Sequence, residues 1–251
     1  MQTAKQKLKR AAPWLFLLLV LAGLAAVRGL AANYEIGYEI MNGDFQNYNP
    51  VRHLLAGQVP YRDFTVYLGA GELYSVGGLL LVLGNSFGRS MFATNFCTWF
   101  YFELLVLAVC LVVIGTARAA RAAALALCSV FFAYVQGANL PFAGQVNTLL
   151  SYAAANGNSA RMMRSAALTL AVLVILLGLH FWQQDTSRRL LAPAVLVPFA
   201  AGFFVPWSND MGGAAYISIA LGYGLYLIRL YRSSIGKIVV QTLRYIVTSV
   251  V

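Results

Sequence analysis

The sequence predicts an all-α, polytopic transmembrane helix bundle of about six to eight membrane helices. It reads as a single transmembrane domain over residues 1–251, with interfacial helices in the first outer loop. Three observations predict it. The chain is 60% hydrophobic and 10% charged, with a mean hydropathy of +0.71, whereas charged residues make up about a quarter of soluble domains. Its apolar residues form long unbroken runs rather than alternating with period two, so the backbone pairing that hydrocarbon demands is met within helices and not in a barrel. Its 18 Lys and Arg residues are scattered at the ends of those runs, the pattern of topogenic charge facing anionic lipid.

That pattern accounts for the formal charge of +10 and the pI of 9.7. The basic residues gather on no single face, so nucleic acid is not an expected partner and membrane lipids are. Cys97, Cys110 and Cys128 fall inside apolar stretches with no C-x-x-C spacing and no neighbouring His. They read as small core or lipid-facing residues, and neither a metal site, a disulfide framework nor a cofactor is expected.

In order along the chain, Lys5, Lys7, Lys9 and Arg10 precede a first span over residues 13–32, which holds the N-terminus in the cytoplasm. The segment reads as an uncleaved anchor, because a signal peptide would have a shorter apolar region followed by a polar mature domain. Residues 33–90 read as the outer loop. Its most polar part, residues 33–67, carries Glu35, Glu39, Asp44 and Asp63, half of the 8 acidic residues. Within the loop, Tyr48, Val51, Leu54 and Leu55 recur at helical spacing, Gly57 is a C-cap and Pro60 a stop. This predicts an interfacial helix of about two to three turns, followed by an extended Val59–Phe64 segment.

Further spans are predicted over Met91–Gly115, Ala120–Ala138, Arg164–Gln183, Leu190–Pro206 and Met211–Tyr231, together covering 91–231. Tyr67–Gly84 is long enough to cross but holds Glu72 and several glycines, and counting it as a span inverts everything downstream. The distribution of Lys and Arg obeys the positive-inside rule only if this segment lies on, or dips into, the outer face. Arg118, Arg121, Arg188, Arg189, Arg229 and Arg232 are then cytoplasmic, and Asn139–Ala160 and the Trp207–Asp210 turn share a face with Asp44. Arg161 and Arg164 fall on the wrong side of this arrangement, and a crossing by Leu140–Gly157 would flip the last helices. Residues 235–251 place Ile235, Ile238, Val239, Leu243, Ile246, Val247 and Val250 on one face, with Lys237, Gln241 and Arg244 opposite. They form an amphipathic surface helix or the start of another span. The absence of a polar tail after them is what a fragment or a truncated reading frame would show.

The segment from Gly43 to Phe64 carries the chemistry: Asp44, then Tyr48, Arg52, Leu54, Leu55, Gly57, Pro60, Tyr61, Arg62, Asp63 and Phe64. It resembles the first outer loop of the GT-C polytopic glycosyltransferases, such as the protein mannosyltransferases and the lipid A aminoarabinose transferases. Those enzymes place an acid after the first membrane helix, then an interfacial helix ending in a Leu-x-x-Gly-x-Pro-Tyr-x-Asp-Phe-like run, then a Gly-rich amphipathic segment. The resemblance covers about residues 13–137. It implies transfer of a sugar from a polyprenyl-phosphate-linked donor to an acceptor on the outer face of a bacterial plasma membrane, with Asp44 as the catalytic acid. A partly desolvated carboxylate suits removal of the acceptor proton. A phosphate leaving group calls for cations, for which Arg52 and Arg62 are candidates. Tyr61, Asp63, Glu72 and Asp210 complete the expected substrate-binding set.

Alternative readings attach to each residue. Asp44 is placed to cap the helix that follows it, Asp63 to pair with Arg62, and Asp210 to cap the helix after the Trp207 turn. Glu72 and Glu103 lie in apolar context, where an ionisable group faces a bundle interior or cavity. His53 and His180 read as interfacial. Gly69, Gly71, Gly77 and Gly78 follow no strand and suit close helix packing rather than a nucleotide loop. The chain departs from the GT-C pattern where a second acid is often found: Leu140 to Thr148 offers only the amides Gln145 and Asn147. The rival class is a non-catalytic polytopic protein, either a transporter fragment or an inactive glycosyltransferase-like scaffold. A transporter would show paired broken helices in two related halves, and no internal repeat is visible.

Overall fold

The computed structural model describes residues 2–34, 41–134, 161–184 and 192–250. Among them the chain forms nine α-helices and no strand: α1 (Gln2–Tyr34), α2 (Met41–Leu55), α3 (Ala70–Leu83), α4 (Phe87–Ile114), α5 (Ala119–Tyr134), α6 (Arg161–Gln184), α7 (Ala192–Trp207), α8 (Gly212–Leu230) and α9 (Ile235–Val250). Three stretches are long and apolar enough to cross a bilayer: Ala11–Leu30, Phe87–Ile114 and Gly212–Leu230. Shorter apolar helices occupy Ala70–Leu83, Ala119–Phe131, Arg164–Leu179 and Val197–Trp207. Phe16, Leu19, Leu221 and Leu225 on the candidate spans point outward, an exterior that suits hydrocarbon as the surrounding solvent. The chain is a helical membrane protein, as its composition required. Glu35, Glu39, Asn139–Ala160, Arg188 and Arg189 lie outside the described residues.

Helices α1 and α4 pack antiparallel. Leu17 and Leu21 share a cluster with Leu107 and Cys110, the Arg28 guanidinium lies over the Trp99 ring at 5.3 Å, and a Cβ on Gly29 would sit 3.0 Å from the Phe92 carbonyl. The chain therefore leaves α1 and enters α4 at the same end of the bundle. Helix α3 has 14 residues, about 21 Å of rise, which falls short of a hydrocarbon core of about 30 Å. It runs beside the first half of α4, where the Ser75 and Tyr101 hydroxyls meet at 3.0 Å. By length it is not among the stretches long and apolar enough to cross.

Helices α6 and α8 run parallel, with Leu176 packed on Gly222 and Ser165, Leu168 and Val172 facing Met211, Ala215 and Ser218. Arg164 and Asp210 thus stand at the same end. Helix α9 packs against the bundle. It runs back along α8, with Tyr216 bonded to Ser249 at 2.9 Å and Tyr223 stacked on Tyr245 at 5.2 Å. Its Ile235, Val239, Leu243, Ile246 and Val247 point away from the bundle. Tyr245 turns toward the bundle, while Lys237 and Arg244 are exposed together with these aliphatic side chains.

Two expectations for the outer loop need correction. The interfacial helix begins at Met41, so Asp44 stands within its first turn and not in a loop ahead of it. Pro50 lies in the interior of this helix, which starts well before Tyr48. The Val59–Phe64 segment is not extended but closes on itself. Asp63 N–H donates to the Val59 carbonyl at 2.9 Å and Tyr61 N–H to the Phe64 carbonyl at 2.9 Å. The Asp63 carboxylate also accepts the Val59 N–H at 2.8 Å. A side chain that bonds its own backbone four residues back folds the segment into a turn.

Candidate functional site

The first outer loop and the Trp207–Asp210 turn, far apart in sequence, meet at one end of the bundle. Glycines make the approach possible. Gly69 has a φ of +101°, and a Cβ there would fall 2.6 Å from the Ser208 Cα. At Gly71 the place of a side chain is taken by the Trp207 indole, and Gly77 receives Leu54. Close packing is thus the role of Gly69, Gly71 and Gly77, while Gly78 has open space. The Asn209 amide then ties the two regions, donating to the Val66 carbonyl at 3.0 Å and the Tyr67 carbonyl at 2.7 Å. Tyr61 Oη adds a long bond of 3.4 Å to the Pro206 carbonyl.

Around this junction three ionisable side chains converge. Arg164 Nη1 lies 2.7 Å from Asp210 Oδ1, with the Arg side chain 6% exposed and the Asp 50%. Asp210 also accepts from Ser208 Oγ at 2.6 Å and from the Met211 N–H at 2.9 Å. Burial opposes ionisation of Asp210, but the Ser208 hydroxyl, the Arg164 charge and the backbone N–H together hold its carboxyl below the usual range. The capping role expected for Asp210 is not what the structure shows: the helix that follows has Met211 at its cap position and no side-chain cap bond, and Asp210 instead forms an ion pair and accepts its neighbour's N–H. The pairing also explains why Arg164 falls on the wrong side of the positive-inside count: it is a buried partner of a carboxylate, not a free topogenic charge.

Glu72 is 3% exposed, and its Oε1 has no hydrogen-bond partner among the described residues. Its cavity of about 10 Å³ is walled by Gln46, Asn47, Pro50, Val66, Leu68, Gly69 and Leu73 and has room for about one water molecule. Helix α2 thus supplies one wall of the cavity and α3 the other. Asp44 stands three residues before Asn47 in α2; its side chain lies outside the described residues.

The other expected site residues are more exposed. Arg62 and Asp63 form a two-point pair, 2.9 Å at each contact. The bond from Arg62, aided by the Val59 N–H, holds the Asp63 carboxyl below its ordinary range. Arg52 reaches back over the Tyr48 ring at 5.7 Å. Tyr61 has a φ of 64°, and no other non-glycine residue described has a positive φ. His53 stacks on Phe64 and contacts Gln58, which fits an interfacial role. His180 lies outside the described side chains, and so does the amide-bearing stretch Leu140–Thr148. No group of three His, Cys, Asp or Glu residues suited to a metal ion occurs among the described residues.

Sequence reasoning missed Arg164 and Ser208. A signal was present for the first, since it was a basic residue at odds with an otherwise consistent topology, next to an apolar run. For Ser208 no periodicity or motif pointed to burial. Comparison of the chain with protein-family models, curated proteins and solved structures finds no match.

Proposed function

We propose that this chain is a GT-C-like membrane glycosyltransferase module of a bacterial plasma membrane, multi-pass with its N-terminus in the cytoplasm, acting at the outer face on a polyprenyl-phosphate-linked sugar. The observation that carries the reading is the closure of the first loop on the Trp207–Asp210 turn. It groups Glu72, Arg164 and Asp210 at the bundle end, and α2, whose first turn bears Asp44, walls the Glu72 cavity through Gln46, Asn47 and Pro50. In the reaction, the acceptor hydroxyl gives its proton to Asp44 as its oxygen bonds to the anomeric carbon. The bond from that carbon to the phosphate oxygen breaks, and its electron pair leaves with the lipid phosphate. Arg52 is the exposed cation for the phosphate. Arg62 serves the same purpose once it releases Asp63.

The rival reading, a non-catalytic polytopic protein, has one observation in its favour: the cavity at Glu72 admits about one water, far less than a sugar, so the enzyme reading requires α2 and α3 to part. One experiment separates the two. Membranes carrying the wild-type chain are expected to transfer label from a radiolabelled polyprenyl-phosphate sugar, with Asp44→Asn lowering the rate at least about a hundredfold, the lower range for loss of a general base. Equal transfer by wild type and variant removes the enzyme reading. For sidedness, Tyr67→Cys and Ala120→Cys are expected to react with an impermeant thiol reagent from opposite faces of the membrane.

A further inference from the structure

Glu72 poses a charge problem that its neighbours do not solve. The ion pairs among the described residues are Arg62–Asp63 and Arg164–Asp210, and Glu72 belongs to neither. Arg164, whose charge reaches Glu72, already gives its Nη1 to Asp210. The ionisable and polar groups on the elements around it are Asn47 on α2, Cys97 and Tyr101 on α4, Arg164 on α6 and Asp210 in the turn before α8; of these Arg164 and Cys97 interact with it electrostatically and Asn47 lines its cavity. Cys97 offers only a thiol, and the Tyr101 hydroxyl is occupied with Ser75. Glu103 is buried farther along α4, Arg89 is held against Gly84 at the far end of α3, and His53 stacks on Phe64. An ionised carboxylate here would be a buried anion with one shared countercharge, an arrangement that desolvation makes unstable.

We infer that Glu72 is a proton-binding site: it stands as a neutral carboxylic acid whose O–H is donated to a single water in the cavity between α2 and α3. The cavity is built for such a water. It has room for about one, and Pro50, which has no N–H, leaves the Gln46 carbonyl without its usual helical donor at the same wall. The proton has a mechanical consequence. While it stays, α2 and α3 close over Arg164 at no electrostatic cost. Its loss puts two carboxylates beside one guanidinium and drives the closure open. The inference holds whatever reaction the outer end performs, and its test does not require one.

The test uses the full chain in lipid nanodiscs, with Glu72→Gln as the isosteric neutral reference. Infrared difference spectra of wild type minus variant at pH 7 are expected to show one protonated carboxyl C=O band that shifts in D₂O. A carboxylate pair of bands in its place overturns the proposal. Thermal unfolding gives a second reading. A group that binds its proton more tightly when folded contributes most below the unfolded carboxyl range and loses that contribution as pH rises toward its folded value. The wild-type Tm is therefore expected to fall by about 5 °C relative to the variant between pH 5 and pH 9. Parallel curves overturn it. Should the variant fail to fold, the wild type alone decides the question: a D₂O-sensitive band present at pH 7 and lost at high pH supports the proposal, and its absence at pH 7 refutes it.

Discussion

Among the described residues two Arg–Asp pairs of nearly equal length do different things. Arg62–Asp63 joins neighbours in sequence on the surface of the first loop, with the Arg side chain 71% exposed. Arg164–Asp210 joins residues 46 positions apart, with its guanidinium almost wholly enclosed. Coulomb attraction at a given distance is several times stronger where water is excluded, and an enclosed charge left alone is costly. The first pair shapes a turn that Asp63 also closes through the Val59 N–H. The second locks the mouth of α6 to the turn before α8. Both regions also meet through the Asn209 amide, so the contrast lies in their ion pairs: the motif-bearing loop carries a local, exposed one and the region without a motif a long-range, enclosed one.

The largest effect should come from forcing these two regions apart. Gly71→Leu would place a side chain where the Trp207 indole lies, and overpacking of this kind costs about 3 kcal/mol. Denaturant or thermal unfolding in detergent would read it. If Gly71→Leu unfolds like wild type, the junction is not a packed interface.

Next comes Asp210→Asn, which leaves the Arg164 guanidinium enclosed without its counter-ion. Because Asp210 is half exposed, the cost is about 2 kcal/mol rather than the full value for a buried pair. Asp63→Asn, its surface counterpart, should leave Tm unchanged within measurement scatter. Equal effects in both variants would erase the distinction between the pairs. Acid should act selectively as well. The folded carboxyl of Asp210 lies below its ordinary range, so its contribution is present above about pH 4 and is lost as pH falls through the folded value. Wild type should lose stability there relative to Asp210→Asn. A smaller loss of about 1 kcal/mol is expected for Ser208→Ala, which removes one hydrogen bond to Asp210.

How much of this was legible in the sequence follows from the range of the forces involved. Helices set by long apolar runs were readable to within a few residues: Met91–Gly115 became Phe87–Ile114 and Met211–Tyr231 became Gly212–Leu230. Hydropathy is summed over many residues and tolerates local error. The Trp207–Asp210 turn was placed on the face of the first loop by charge counting alone, and the two regions do meet. The start of α2 was misread because apolar residues at helical spacing begin only at Tyr48, whereas the helix starts at Met41. The Val59–Phe64 turn was missed because its determinant is one carboxylate bonding backward, which leaves no periodic trace. Arg164 escaped because partners 46 residues apart carry no spacing rule; its anomaly in the positive-inside count was the one available clue.

Tyr61 offers the finest test of the contrast, because there stability and function should part company. Its φ of 64° places a bulky side chain in a region that costs an L-residue about 1–2 kcal/mol, while glycine at the same place forfeits about 1 kcal/mol of chain entropy. The bond to the Pro206 carbonyl, at 3.4 Å, is too long to alter that balance much. Tyr61→Gly should therefore unfold within about 1 kcal/mol of wild type, and slightly higher if the strain dominates. A strained tyrosine whose removal leaves the fold intact is retained for what its ring contacts outside the fold. In the transfer assay the same variant is then expected to lose activity while Asp63→Asn keeps most of it. A variant that folds and transfers like wild type would make Tyr61 a passenger in a turn built by Asp63. A variant that unfolds would assign the ring to holding the first loop against α7.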